Sequence, residues 1–206
     1  MTPGHVAHGI RASYGMTHVT AEHISAWERG TLLPSAPELA ALSGALWCAP
    51  SELIGAPRTL REHRLARGFA VEDMARVAGL DVHAYQHMES TGVWTGTSRQ
   101  SAALAQALAL NPRDFVTVTG LDGELTHMLH DAVGTRWQAH ARPIARLLSA
   151  DRRELSGPLR EMHQEYQALM TATLSRGGGS SASGEAGLRY LEEILDHFWS
   201  KFPPAG

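Results

Sequence analysis

The side chains in this chain most capable of chemistry are its twelve histidines. The one pair with ligand-like spacing is His127 and His130 in the run HMLHD, with Asp131 beside them. On a helix that spacing sets two imidazoles one turn apart, where they can share an ion such as zinc. No third ligand lies at a recognisable distance and the run lacks the glutamate of a metalloprotease helix, so we read exposed helix histidines and expect no metal. The single cysteine, Cys48, has no partner for a disulfide or a cysteine zinc site, and its apolar helical surroundings mark it as a buried core residue. There is no GxSxG elbow, and the glycines Gly177 to Gly179 lie in a serine-rich stretch rather than between a strand and a helix. We therefore expect no catalytic residue and no cofactor; the chain is not read as an enzyme. What remains is Arg58, Arg61, Arg64 and Arg67, which recur every three residues and form either a phosphate-binding stripe or a solvated, salt-bridged face.

Those side chains must be positioned by helices. Apolar residues recur at three- and four-residue spacing almost throughout, and alternating runs bounded by turn residues are nearly missing, which predicts an all-α fold. The length of 206 residues and the apolar content of 43% suit a soluble globular protein. A signal segment and a run of roughly 18 apolar residues are both lacking, so a cytoplasmic location and no membrane contact are expected. The net charge of −3 excludes an overall basic footprint, so any affinity for nucleic acid must come from a local patch. Lys201 is the only lysine; the other fixed cations are arginines, suited to bidentate phosphate and guanine contacts.

An internal repeat gives the domain plan. Glu38–Gly55 overlays Gln100–Thr117 at an offset of 62, matching Ala41, Leu42, Ala45, Leu46 and Leu53 with Ala103, Leu104, Ala107, Leu108 and Phe115. Trp27 and Glu28 match Met88 and Glu89 at an offset of 61, which carries the repeat back through one more helix. In the second copy, Thr59 and Glu62 form a capping box for a helix over Leu60–Arg67. Gly68 ends it, a short helix over Val71–Ala78 stops at Gly79, and Asp81 caps a third. In the first copy a helix starts at Thr2 and Pro3 and runs through Val6, Ile10 and Tyr14 to Gly15. TAEHISAWERGTLLPS then spans Thr20–Ser35, with Ile24 and Trp27 inward and Gly30 at a left-handed cap; Ser35 and Glu38 make a further capping box.

The run LREHRLARGFAVEDMARVAGLDVHAYQHME and the Thr20–Ser35 run resemble the phage-repressor and Cro-like (XRE) helix-turn-helix family, over residues 2–118. The resemblance implies tandem modules, 1–56 and 57–119, with the first truncated before its first helix and carrying a turn about three residues longer. It implies third helices in the major groove of double-stranded DNA. The base-facing positions are then Ala21, Glu22, Ser25 and Ala26 in copy one and Val82, His83, Gln86 and His87 in copy two. Gln86 would bond adenine and His87 guanine. The phosphate contacts would be Arg29 and Arg99, joined by Arg61, Arg64 and Arg67. The implied function is a sequence-specific transcriptional regulator, associated with the nucleoid when bound; the alternative is a protein-interaction module on the same scaffold. Together with the scarcity of lysine it suits an actinobacterial source.

Beyond residue 120 we expect a helical subdomain over 120–175, broken at Arg142–Pro143 and restarted at Asp151–Glu154. A Gly/Ser linker over 176–186 and a last helix over 187–206 follow. The stripes Leu159, Met162, Tyr166, Leu169, Ala172 and Leu188, Leu191, Leu195, Phe198 require a partner: either the chain's own core or a second copy in a homodimer. Trp137, Trp199 and Phe198 are candidates for lining a small-molecule effector pocket.

Overall fold

A computed structural model describes residues 1–175 and 181–202; it is all-α, with no strand among the described residues. The chain divides into two compact units at Gly92–Val93. The first holds α1 (Pro3–Tyr14), α2 (Ala21–Glu28), α3 (Ala36–Leu46), α4 (Pro50–Ile54), α5 (Leu60–Ala66), α6 (Val71–Ala78) and α7 (Val82–Thr91). The second holds α8 (Ser98–Leu108), α9 (Pro112–Thr119), α10 (Asp122–Gly134), α11 (Trp137–Leu148), α12 (Arg152–Ser175), α13 (Ser181–Glu192) and α14 (Ile194–Lys201).

The expected cap residues set the helix starts. Thr59 with Glu62, Ser35 with Glu38 and Thr20 with His23 form reciprocal boxes, and Thr2 caps α1. Each satisfies backbone N–H groups that a helix start leaves unpaired. Gly15 and Gly79 end α1 and α6 in the left-handed conformation that favours glycine.

The division at Gly92 differs from the expected boundary after residue 119, and the second repeat is split by it: α5–α7 belong to the first unit, α8 and α9 to the second. The cause is Trp94. Its backbone N–H donates to Thr119 O at 3.1 Å, and its buried indole N–H donates to Ser101 Oγ at 2.8 Å, so the chain joins α8 and α9 immediately after α7 ends. Gly96 admits the indole, because a Cβ there would lie 2.5 Å from Trp94 Cζ2.

In the second unit part of each apolar stripe packs within the chain. Leu155, Leu159 and Met162 of α12 are fully buried with Leu125 and Leu129 of α10, Ile144 of α11 and Phe198 of α14. Leu188 and Ala172 stay exposed, and Tyr166, Leu169, Leu191 and Leu195 are half-buried. The break expected at Arg142–Pro143 is not there: α11 runs through Pro143. Proline leaves the carbonyl four residues back without its donor, and Pro143 is exposed, so water can take that role. The interruption falls at Thr135–Arg136 instead. Half of the expected linker is also helical, because α13 starts at Ser181; residues 176–180 lie outside the described residues. The expected last helix is two, α13 and α14, parted at Glu193. Cys48 is half-buried rather than a core residue. No helix among the described residues is long and apolar enough to cross a membrane.

Glu165 of α12 ties α13 and α14 down, accepting from Tyr190 Oη at 3.0 Å and Lys201 Nζ at 2.8 Å. Burial pushes its carboxyl up, but these donors outweigh burial and hold it below the usual glutamate range. A depressed carboxyl contributes stability that is complete above the unfolded value of about 4.3 and disappears as pH falls through the folded one. Glu165→Gln should therefore be less stable than wild type near neutrality, with the gap closing below about pH 4.3. Urea midpoints across pH check this, and a pH-independent gap contradicts it. Gly96→Ala should destabilise by about 1–3 kcal/mol through overpacking against Trp94, measured in the same way.

Candidate nucleic-acid interface

Copy two is built around the pair α6 and α7. Met74 and Ala75 of α6 are wholly buried. The chain reverses in three residues, Gly79–Asp81: Leu80 N–H returns to Ala75 O at 2.8 Å, and Asp81 Oδ1 accepts from His83 N at 2.9 Å and Ala84 N at 3.2 Å. The end of α6 and the start of α7 are thus held within one short turn. Along α7, Tyr85 and Met88 point into the core, while His83, Gln86 and His87 share the exposed face. Val82 is half-buried at the helix start.

The far end of α7 is held by charge. Arg64 Nε and Nη2 donate to the two carboxylate oxygens of Glu89, each at 2.7 Å, and Nη1 donates to Phe69 O at 2.8 Å. The side chains are 3% and 9% exposed. Burial opposes the guanidinium charge, yet Glu89 outweighs it and raises the arginine above its ordinary value. Tyr85 lies beside the pair with its hydroxyl buried and unpartnered; burial, reinforced by the Glu89 carboxylate, pushes that phenol up.

This overturns the phosphate role expected for Arg64. A guanidinium with two donors on a carboxylate and a third on a carbonyl, inside the core, cannot reach a phosphate. The sequence signal was present but unused: Arg64 follows Leu60 by four residues and so shares its buried face. Arg67 is exposed and Arg61 half-buried, so the three-residue recurrence does not make one solvent-facing stripe.

Copy one aims α2 differently. The connection Gly15–Thr20 is six residues long, against three in copy two. Its extra residues fill the core: Val19 is fully buried, with Met16 packed beside Val6, Ala7, Ile10, Ile24 and Ala41. Arg11 Nη1 donates to Val19 O at 3.1 Å and secures the loop. Ile24 is buried and Trp27 packs on the same cluster, its indole N–H enclosed without a partner. Glu28, the counterpart of Glu89, is exposed and has no ion-pair partner among the described residues. Glu22 is exposed on the outer face, and a hydrogen bond from the Thr20 hydroxyl holds its carboxyl below the usual range. Ala21, Ser25 and Ala26 are half-buried. The outer face of α2 therefore offers small side chains and a fixed negative charge. Arg29 is exposed at its end; Arg99 is exposed on α8, in the second unit.

The other candidates disperse. His130 Nε2 lies 3.0 Å from Leu191 O, whereas His127 is exposed and sits 3.9 Å from Asp131. Phe198 is buried in contact with Trp199 and Phe202, while Trp137 lines a separate shallow cleft with Thr135, Arg136 and His163. The three aromatics do not line one effector pocket. No protein-family model, curated protein or solved structure matches this chain.

Removing either half of the buried pair leaves an uncompensated charge or its unmet hydrogen bonds, so Arg64→Met and Glu89→Gln should each cost about 3–5 kcal/mol. Arg64→Met combined with Glu89→Leu should recover most of that loss. Glu28→Gln should stay within about 0.5 kcal/mol of wild type. Urea denaturation followed by circular dichroism measures all four; equal costs at Glu28 and Glu89 contradict the difference between the copies.

Proposed function

We propose that this chain is a sequence-specific DNA-binding regulator built on tandem helix-turn-helix modules of the phage-repressor and Cro-like kind, with copy two as the reader. The observation that carries the reading is the outer face of α7. His83, Gln86 and His87 are exposed side by side on a helix fixed by Asp81 at one end and Arg64–Glu89 at the other. A rigid helix presenting short polar groups suits the major groove, where glutamine bonds adenine in a bidentate manner, a histidine N–H donates to guanine, and Val82 can meet a thymine methyl. Arg61 and Arg67 of the same copy supply phosphate contacts that carry no sequence information.

Copy one supports a second role. Its outer face carries the Glu22 carboxylate, and the turn after α2 exposes Leu32 and Leu33. Negative charge opposes phosphate, while exposed leucines suit contact with another protein, so copy one serves as a protein-interaction module beside a DNA-reading copy two.

On the duplex that the protein selects, Gln86→Ala and His87→Ala should each cost about 1–3 kcal/mol of specific binding and leave nonspecific binding unchanged. Arg67→Ala should weaken both equally. Anisotropy titrations on selected and scrambled duplexes separate the two classes; equal losses on both duplexes for Gln86 and His87 contradict the assignment.

A further inference from the structure

The second unit holds a concentration of positive charge that neither the fold nor the reading helices use. Residues 142–160 contain five arginines against two carboxylates, a formal +3 in a chain whose total is −3. Arg142, Arg146, Arg152, Arg153 and Arg160 are all exposed. None of the five has an ion-pair or side-chain hydrogen-bond partner among the described residues.

The arrangement runs against what a solvated helix face normally shows. Helix surfaces compensate charge at positions three and four residues away, yet no such neighbour of these arginines is acidic; they are Gln, Ala, Ser, Gly, Pro, Leu, His or another arginine. Arg142 and Arg146 stand in the like-charged i, i+4 relation, which costs helix stability. Of the nearby carboxylates, Asp151 accepts from Arg153 N at 2.8 Å at the start of α12, Glu161 and Glu165 pair with Lys201, and Glu124 lines one cleft with Arg146 without an ion pair between them. Helical phase separates the charges on α12. At 100° per residue, Arg153 and Arg160 share one stripe, and Glu154, Glu161 and Glu165 lie about a quarter turn round the helix, with Glu161 and Glu165 paired to Lys201 of α14.

α11 and α12 pack together across the short turn Ser149–Asp151, and residues 137–139 line a cleft with His163 at the other end. The two helices therefore run antiparallel, which brings Arg142 to the level of Arg160 and Arg146 to that of Arg153.

We propose that this α11–α12 ridge is a second, sequence-independent DNA-backbone contact, which rests on the reading of the chain as a DNA-binding regulator. The ridge neutralises phosphates and releases counterions; α7 supplies the base reading. Its occupant is DNA rather than an acidic protein or a membrane, because the same chain presents the α7 face read as base-contacting and the cations of the ridge are guanidinium groups able to fork onto phosphate oxygens.

The test uses the full chain and anisotropy titrations on the selected and the scrambled duplex at several salt concentrations. The variant Arg142→Gln, Arg146→Gln, Arg153→Gln is compared with wild type and with a charge-matched control, Arg76→Gln, Arg113→Gln, Arg189→Gln. Each phosphate contact contributes about 0.9 to the slope of log affinity against log salt. The ridge variant should lose about 2–3 in slope on both duplexes and keep the wild-type ratio between them, while the control stays within one unit of wild type. If wild type binds with sequence preference and both variants change equally, or neither changes, the ridge is overturned and the regulator reading stands. Loss of binding to phosphatidylserine vesicles without a change in DNA slope also overturns it. If wild type binds no duplex at low salt, both readings fail together.

Discussion

The buried ion pair between Arg64 and Glu89 is the constraint on which the exposed face of α7, the proposed reading surface, depends. It joins α5 to the last turn of α7, and two parallel hydrogen bonds at 2.7 Å fix rotation as well as distance. With Glu89 held inward, helical phase leaves no freedom in where His83, Gln86 and His87 point. Burying two charges is expensive, and the attraction between them does little more than offset the desolvation. What the pair supplies is geometry: an α7 rotated by a quarter turn would leave both charges unpaired in the core.

The first copy reaches a similar helix pair without that device. Glu28 has no arginine, so α2 is aimed by packing, with Val19 and Met16 contributed by the longer connection and Arg11 holding the loop. Apolar packing tolerates small rotations better than a bidentate ion pair does, because dispersion contacts are not directional. The two copies therefore differ in rigidity as well as in surface charge. One carries His83, Gln86 and His87 on a helix fixed at both ends, and the other an exposed glutamate, Glu22. A chain with net charge −3 can approach a polyanion only if its charges are sorted. In the second unit they are: Glu161 and Glu165 of α12 pair with Lys201, while Arg153 and Arg160 lie on a different, exposed stripe of the same helix.

Much of this was legible in the sequence because it is local chemistry. Thr59–Glu62 and Ser35–Glu38 follow a spacing that only a helix start explains, and Gly15 and Gly79 stand where a left-handed residue must end a helix. What was hidden depends on partners distant in the chain. Arg64 looked like one member of an exposed stripe because its carboxylate lies 25 residues away. The unit boundary is set by Trp94 reaching Thr119, which no local pattern announces. Pro143 reads as a helix breaker, yet α11 runs through it on the exposed side of the helix, where the carbonyl of Ala139, left without its donor, lies on an exposed residue. Ser181–Gly184 have linker composition, yet they begin a helix whose later residues, Tyr190 and Ile194 just beyond it, are held in the core. The candidate reading face was legible only through resemblance to a family; the side chains themselves are ordinary surface residues.

The most direct measurement is repeated selection of bound duplexes from a random DNA pool by the full chain, followed by sequencing. The account predicts enrichment of a defined motif, with the same selection by Gln86→Ala, His87→Ala giving a motif degenerate at the positions those residues read. No enrichment by wild type at low salt, or an identical motif from the variant, would contradict it.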